Sequence, residues 1–163
     1  MKIEERMSLT YDDISIIPTW SGIGSRGECE LYTDIGKYSL ATPLIASPMD
    51  TVCGVDMCVE LSKLGGMGVL HRFQSIDEQI DMCDEIDANG VRNYMAAVGV
   101  GESGRDRLDK ILNYTQLEGV CIDVANGHHL LPMKMVHYIK QEYEDIHVMV
   151  GNIVSKEGAM DLI

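Results

Sequence analysis

The chain has 163 residues, enough for one globular domain, and 45% of them are hydrophobic, so a core is possible although only one Trp and one Phe are present. Its formal charge of -13 argues against a nucleic-acid partner, because the phosphates would be repelled. Five cysteines without a C-x-x-C pair indicate free thiols in a reducing compartment, and the absence of any run near ~20 apolar residues argues against a membrane span.

Residues 1–42 do not show the pattern of the rest of the chain. The first nine residues, MKIEERMSL, lack the apolar run of a signal peptide, which predicts a cytoplasmic location. Residues 9–18, LTYDDISIIP, mix polar and apolar side chains, and residues 30–38 suggest a short hairpin or extension. We therefore predict a lead-in segment at residues 1–42 and a domain at residues 43–163.

From Pro43 onward, short apolar runs alternate with stretches of helical periodicity. Strands are predicted at residues 43–47, 67–70, 94–100, 119–124 and 147–153. Helices are predicted to begin near Asp56, Ser75, Arg105, Leu131 and Ser155. Short apolar strands that alternate with amphipathic helices are typical of an α/β fold with a parallel sheet.

Two predicted helix starts carry specific signals. Asp56 is predicted to cap the first helix, whose inward face would be Met57, Leu61 and Leu64. Ser75 and Glu78 have the spacing of a capping box, in which each side chain accepts a hydrogen bond from the backbone of the other residue.

Small and polar residues follow the predicted strands. In a βα barrel these strand ends form the catalytic face, and in an open sheet they border the ligand crevice. In either case we expect the residues to share one rim. They are Ser47, Asp50, His71, Arg72, Gly99, Asp123, Asn126, Gly127, Gly151 and Asn152.

The number of βα units leaves the architecture open at this point. A complete eight-unit barrel takes ~250 residues, whereas about five units are visible before Ile163. The chain is therefore expected to be a fragment, to be completed by a partner, or to form an open sheet.

Five motifs together give a specific resemblance. In order they read LTYDDISIIP, PLIASPMDTV, GGMGVLHRFQSIDEQ, CIDVANGHH and VGNIVSKEGAMDLI, and they cover essentially the whole chain. This series resembles the IMP dehydrogenase/GMP reductase family. The resemblance implies a TIM-type (β/α)8 barrel, of which this chain would hold about the first five βα units after its N-terminal extension. It also implies a tetramer, and hydride transfer between a nicotinamide cofactor and a purine nucleotide that is bound covalently to a cysteine.

The resemblance leaves three functions open. The sequence DVANG at residues 123–127, and the lack of room for CBS modules at residues 87–93, favour a GMP reductase, which uses NADPH to convert GMP to IMP. The sequence ASPMD at residues 46–50, and Arg72 where reductases have lysine, favour an IMP dehydrogenase without CBS modules, which uses NAD to convert IMP to XMP. A non-catalytic truncated homologue that acts as an assembly or binding subunit is the third.

The family's motifs imply site residues in this chain. Ser47, Met49 and Asn152 would bind the purine nucleotide substrate. The residues on the NADP (or NAD) side would be His71, Arg72, Asp123, Ala125, Asn126 and Gly127.

The resemblance also implies an incomplete site. No cysteine matches the family's nucleophile, whose loop (GxGSxCxTR) is expected beyond Ile163 together with any monovalent cation. This chain alone is therefore expected to be inactive. A tetramer of like chains or a second chain completing the barrel is the expected partner. The adjacent His128 and His129 are poor metal ligands, because neighbouring side chains rarely converge.

Overall fold

The computed structural model describes residues 9–163. Residues 1–8, on which most of the signal-peptide argument rests, lie outside the described residues. The chain divides into two compact units, with the boundary between Glu30 and Leu31. In the first unit, 3-10 turns span Tyr11–Asp13 and Arg26–Glu28, and the Ser25 hydroxyl accepts a hydrogen bond from Gly27 N at 3.3 Å.

The second unit, Leu31–Ile163, begins with a hairpin and continues as alternating strands and helices. The hairpin pairs β1 (Thr33–Ile35) with β2 (Tyr38–Leu40) in antiparallel fashion. The elements that follow are β3 (Ile45–Ala46), α1 (Val55–Lys63), β4 (Met67–Leu70), α2 (Ile76–Ala88), β5 (Tyr94–Val98), α3 (Gly101–Tyr114), β6 (Gly119–Asp123), α4 (Leu130–Glu142), β7 (His147–Gly151) and α5 (Lys156–Met160).

Strands β3 to β7 form one parallel sheet in chain order. The sheet curls as half of a TIM-type βα barrel, and this confirms the predicted fold class. The longest pairing joins β6 to β7, from Gly119 opposite His147 to Asp123 opposite Gly151. The predicted domain boundary after residue 42 stays a prediction.

Alternation along the strands produces two cores. One lies between the sheet and the helices and includes Leu70, Val98 and Ile122. The other lies on the concave face, where Val69 and Cys121 pack with hairpin residues such as Tyr38. Successive side chains of a strand point to opposite faces, so each of the strands β4 to β7 contributes to both cores.

The hairpin covers the amino end of the concave face. A Cβ at Gly119, the first residue of β6, would lie 3.2 Å from ring carbons of Tyr38, so only glycine leaves room for this ring. The Tyr38 hydroxyl donates a hydrogen bond to Tyr94 O at 3.4 Å. The carboxyl ends of the strands are therefore the open end of the concave face.

Of the two predicted N-caps, the structure confirms the one at Ser75 and corrects the one at Asp56. Ser75 Oγ accepts from Glu78 N at 3.2 Å and Glu78 Oε2 accepts from Ser75 N at 2.8 Å, which confirms the capping box. The prediction for α1 is wrong, because Gly54 is the N-cap and Asp56 lies inside the first turn. The buried residues of α1 are Cys58 and Val59.

Candidate active site at the carboxyl ends of the strands

Three of the predicted site residues line one cleft. The cleft holds about 270 Å³ and lies where β3, β6 and β7 end. Ser47, Asp123 and Asn152 supply polar groups at its wall, and Cys121 and Met149 supply its apolar lining from the concave face. The remaining lining residues are Ile45, Ala46, Pro48, Val69, Val150 and Gly151.

Backbone hydrogen bonds beyond the ends of β6 and β7 hold Asn152 beside Asp123. Val124 N donates to Gly151 O at 2.8 Å, and Asn152 N donates to Val124 O at 2.7 Å. Gly127 N then donates to Asn152 O at 2.8 Å. These bonds extend the sheet ladder by a few residues, so the two side chains share one wall of the cleft.

Gly127 lies at a close approach of the backbone. A Cβ there would lie 2.6 Å from Ile153 Cδ1, the far end of a side chain, and 3.1 Å from Asn152 O, so a side chain at this position would displace Ile153 and move the turn slightly. Asn126 Oδ1 accepts a hydrogen bond from His128 N at 3.1 Å and closes this turn. Asn126 and Gly127 therefore shape the wall of the cleft and do not line it.

Arg72 and Asp123 form a partly buried pair that links the ends of β4 and β6. Arg72 Nη2 donates to Asp123 O at 3.2 Å, and Arg72 Nε lies 3.7 Å from Asp123 Oδ2. Arg72 Nε is buried and has no hydrogen-bond partner among the described residues. The guanidinium also lies 5.5 Å from the ring centroid of Phe73, a cation–π distance. Arg72 therefore holds the Asp123 peptide and places a positive charge beside its carboxylate.

Three other predicted residues lie outside the cleft lining. His71 Nδ1 accepts a hydrogen bond from Phe73 N at 3.2 Å, so this nitrogen is occupied within its own turn. The Met49 side chain is exposed, and Met49 O accepts from Cys53 N at 2.9 Å in the turn before α1. Ala125 is exposed in the turn after β6.

Cys121 is a cleft residue that sequence reasoning did not select. Burial, with a contribution from the negative charge of Asp123, raises the pKa of this thiol to about 12. The thiol is therefore protonated near neutral pH and is a poor nucleophile. Alternation along β6 was the available signal, because Cys121 and Asp123 are two residues apart and point to the same face.

Neither of the adjacent histidines is placed as a metal ligand. His129 Nδ1 accepts from Leu131 N at 3.2 Å and caps α4, while His128 Nε2 lies 2.9 Å from Asp161 Oδ2. Over residues 9–163, no group of three or more His, Cys, Asp or Glu side chains is arranged to hold a metal ion. In the same part of the chain, no helix has both the length and the apolar character needed to cross a membrane.

The polar groups of the cleft are available to a ligand. In the described part of the chain, neither the Ser47 hydroxyl nor the Asn152 amide has a protein hydrogen-bond partner. Asp123 contributes carboxylate acceptors, and Arg72 contributes donors behind it. This donor and acceptor set fits a polar ligand. The volume of about 270 Å³ lies just below the roughly 300–1,000 Å³ of ligand pockets, so the cleft fits a small ligand or part of a larger one.

A curled parallel βα sheet with a polar cleft at its carboxyl end defines the βα-barrel class of proteins. Comparison with known families assigns the chain to one family within this class. The model of the IMP dehydrogenase / GMP reductase domain matches residues 8–163, so the chain belongs to this family of oxidoreductases. This confirms the family inferred from the five motifs.

Curated relatives match along the same residues. A GMP reductase of Aliivibrio fischeri (strain ATCC 700601 / ES114) is 30% identical over 169 aligned residues, which cover 100% of this chain and 49% of the relative. A GMP reductase of Bacillus subtilis (strain 168) is 28% identical over 154 residues, 93% of this chain and 46% of the relative. The chain thus spans about half the length of the curated relatives it matches.

Proposed function

We propose that the chain supplies the nicotinamide side and part of the base pocket of a GMP reductase-like enzyme. The proposed reaction consumes GMP, NADPH and two protons, and it releases IMP, NADP and ammonium. The observation that carries the proposal is that a relative named GMP reductase matches the chain along its whole length.

The proposal gives each cleft residue a role. Asp123 would accept hydrogen bonds from a ribose hydroxyl or from the nicotinamide amide, and Arg72 would hold Asp123 in place. Ser47 follows β3 and Asn152 follows β7, the two edge strands of the sheet, and both would bind the purine nucleotide at the same cleft. Bound at this cleft, the cofactor would supply the hydride that reaches purine C2. The nucleophilic cysteine would come from polypeptide that this chain does not contain, because none of its five cysteines lies in a GxGSxCxTR loop. The cysteine of the cleft, Cys121, is protonated at neutral pH.

A second candidate is an IMP dehydrogenase that uses NAD. The observation in its favour is Arg72, whose guanidinium stays charged and cannot deliver a proton to a leaving amine as a lysine can. Oxidation of IMP to XMP needs no amine to leave, so Arg72 is compatible with that reaction. A tetramer, or a second chain that completes the barrel, is part of both proposals.

Saturation-transfer NMR on the 163-residue chain tests the proposed site. We expect signals from NADPH and GMP, and we expect the NADPH signal to fall in Asp123→Asn and the GMP signal to fall in Asn152→Ala. Asp84→Asn, at an exposed aspartate of α2, is the matched control. Preference for NADH and IMP would favour the dehydrogenase, and equal signals in wild type and Asp123→Asn would contradict the site.

A turnover assay tests the assignment of the nucleophile. We expect no oxidation of NADPH by GMP when the purified chain is present alone. We expect turnover when the chain replaces the matching half of the Aliivibrio fischeri GMP reductase in a fusion. Turnover by the chain alone would show that the nucleophile had been assigned to the wrong polypeptide.

A further inference from the structure

Apart from tyrosine and cysteine, Gln79 is the one polar or charged side chain that is buried in the described part of the chain, and it has no exposed surface. Its amide is fully paired. Nε2 donates to Ala97 O at 3.0 Å and to His71 O at 3.2 Å, and Oε1 accepts from Arg107 Nη1 at 2.6 Å. Burying an amide costs free energy unless its groups are bonded, so this side chain is retained in an apolar core because of these contacts.

The two carbonyls lie where the β4–β5 ladder ends. The last paired residues are Leu70 and Ala96, and beyond them the turn after β4 leaves the sheet. The Gln79 amide, reaching across from α2, takes the next carbonyl of each strand. It therefore replaces a strand partner at the point where the turn of residues 71–74 begins.

Arg107 fixes the other end of the same turn. Its Nη2 donates to Gln74 O at 2.8 Å, while its Nη1 is shared by Gln79 Oε1 and, at 3.5 Å, Ser75 O. Gln74 Nε2 also donates to His71 O at 2.7 Å. Helices α2 and α3 thus hold both ends of the turn, and Arg72 lies between these ends.

We propose that Gln79 and Arg107 are positioning residues, which set the course of residues 71–74 so that Arg72 reaches Asp123 at the cleft. The identity of the ligand, NADPH, rests on the proposed function. The positioning itself rests on the contacts of Gln79 and Arg107 alone. Neither residue lines the cleft, so both act on it through Arg72.

Gln79→Glu is the sharpest test, because a carboxylate still accepts from Arg107 but has no N–H for His71 O and Ala97 O. We expect the His71 amide, which donates to Cys53 O at 3.2 Å, to exchange about tenfold faster in this variant, while amides of β6 keep their rates. Gln141→Glu, at an exposed glutamine of α4, is the matched control. Unchanged exchange at His71 in a folded Gln79→Glu protein would overturn the proposal.

Binding of NADPH separates positioning from general stability. We expect the dissociation constant to rise about tenfold in Gln79→Glu after correction for the folded fraction, and to rise no further when Gln79→Glu is added to Asp123→Asn. Additive losses would mean that Gln79 does not act through the Arg72–Asp123 pair, and this would overturn the proposal.

Arg107 provides a second, milder variant if Gln79→Glu does not fold. Arg107→Ala is expected to raise exchange at His71, and added guanidinium chloride at millimolar concentration is expected to restore protection, because the free cation can take the place of the lost group. Failure of this rescue in a folded protein would contradict the role of Arg107. If the wild type does not bind NADPH, the proposed function fails, while the exchange measurements still decide the positioning.

Discussion

At the scale of single residues, close packing decides which substitutions the sheet tolerates. Gly68 lies in the middle of β4, and a Cβ there would lie 2.8 Å from Cys58 Cα and 3.1 Å from Cys53 Sγ. Overpacking of this kind costs typically 1–3 kcal/mol, so we expect Gly68→Ala to lower the free energy of unfolding by roughly that amount. Urea unfolding measures the change.

Gly99→Ala is the matched control for this experiment. The nearest atom to its new Cβ would be Arg72 Nη1 at 3.6 Å, which is an ordinary van der Waals contact. We expect a small effect on stability there. Equally small losses of stability in the two variants would show that the packing around Gly68 is looser than in the structure.

Buried thiols make the free energy of unfolding depend on pH in the alkaline range. Burial raises the pKa of Cys83 to about 12, and burial with the charge of Asp123 raises that of Cys121 to about 12, from an ordinary value of 9.0. Because the folded state favours the protonated thiols, their contribution to stability is complete below pH 9 and is lost as the pH rises toward 12. We expect the urea midpoint to be constant near pH 8 and to fall above pH 9.

The double variant Cys83→Ala, Cys121→Ala separates the thiols from other groups. Tyr38 and Tyr94 also have raised pKa values because of burial, and Cys58 has a raised pKa because of its contact with Cys53 and its burial. The fall of the urea midpoint should therefore become shallower in the variant without disappearing. An identical fall in the variant and the wild type would remove Cys83 and Cys121 from the explanation.

At the scale of elements, the cap of α2 makes a separate contribution to stability. Ser75→Ala removes the acceptor for Glu78 N and leaves the backbone carbonyl of residue 75 in place. We expect a loss of about 1 kcal/mol, the usual effect of removing an N-cap side chain. Glu78→Gln keeps an acceptor for the amide of Ser75 and serves as the control. A loss in the control as large as that in Ser75→Ala would contradict the proposed cap.

The sequence predicted the elements well where the signals were strong and local. The bounds of β4 and the capping box of α2 match the prediction, because a run of four apolar residues and a Ser-x-x-Glu spacing are read without tertiary information. The prediction of which face of α1 is buried was wrong. In a nine-residue helix, Cys58 and Val59 define as good an apolar face as Met57 and Leu61, and only packing against β4 decides between them.

The same limit applies to the site. Ser47, Asp123 and Asn152 were singled out because each lies at the end of a recognisable strand and matches a motif of the family, and all three line the cleft. Gln79 was not found, because a glutamine in a helix predicts exposure, and its burial depends on carbonyls from two strands and a guanidinium from another helix. Contacts that join three elements leave no periodic signal in any of them.

At the scale of the whole molecule, charge and exposed apolar surface act against each other. Ile16 and Trp20 are 96% and 91% exposed, and such side chains favour association. The formal charge of -13 opposes the approach of a second copy. The range of this repulsion is about 30 Å at 0.01 M salt and about 3 Å at 1 M salt, so added salt removes the repulsion and leaves the apolar attraction.

We therefore predict that the chain self-associates more strongly as the salt concentration rises, which sedimentation velocity measures directly. The double variant Ile16→Ser, Trp20→Ser should weaken association at high salt, because it removes the apolar contribution without changing the charge. Tyr114→Ser, at an exposed aromatic residue on α3, is the matched control and should behave like the wild type. Association that weakens with salt would mean that attraction between unlike charges, and not apolar surface, joins the copies.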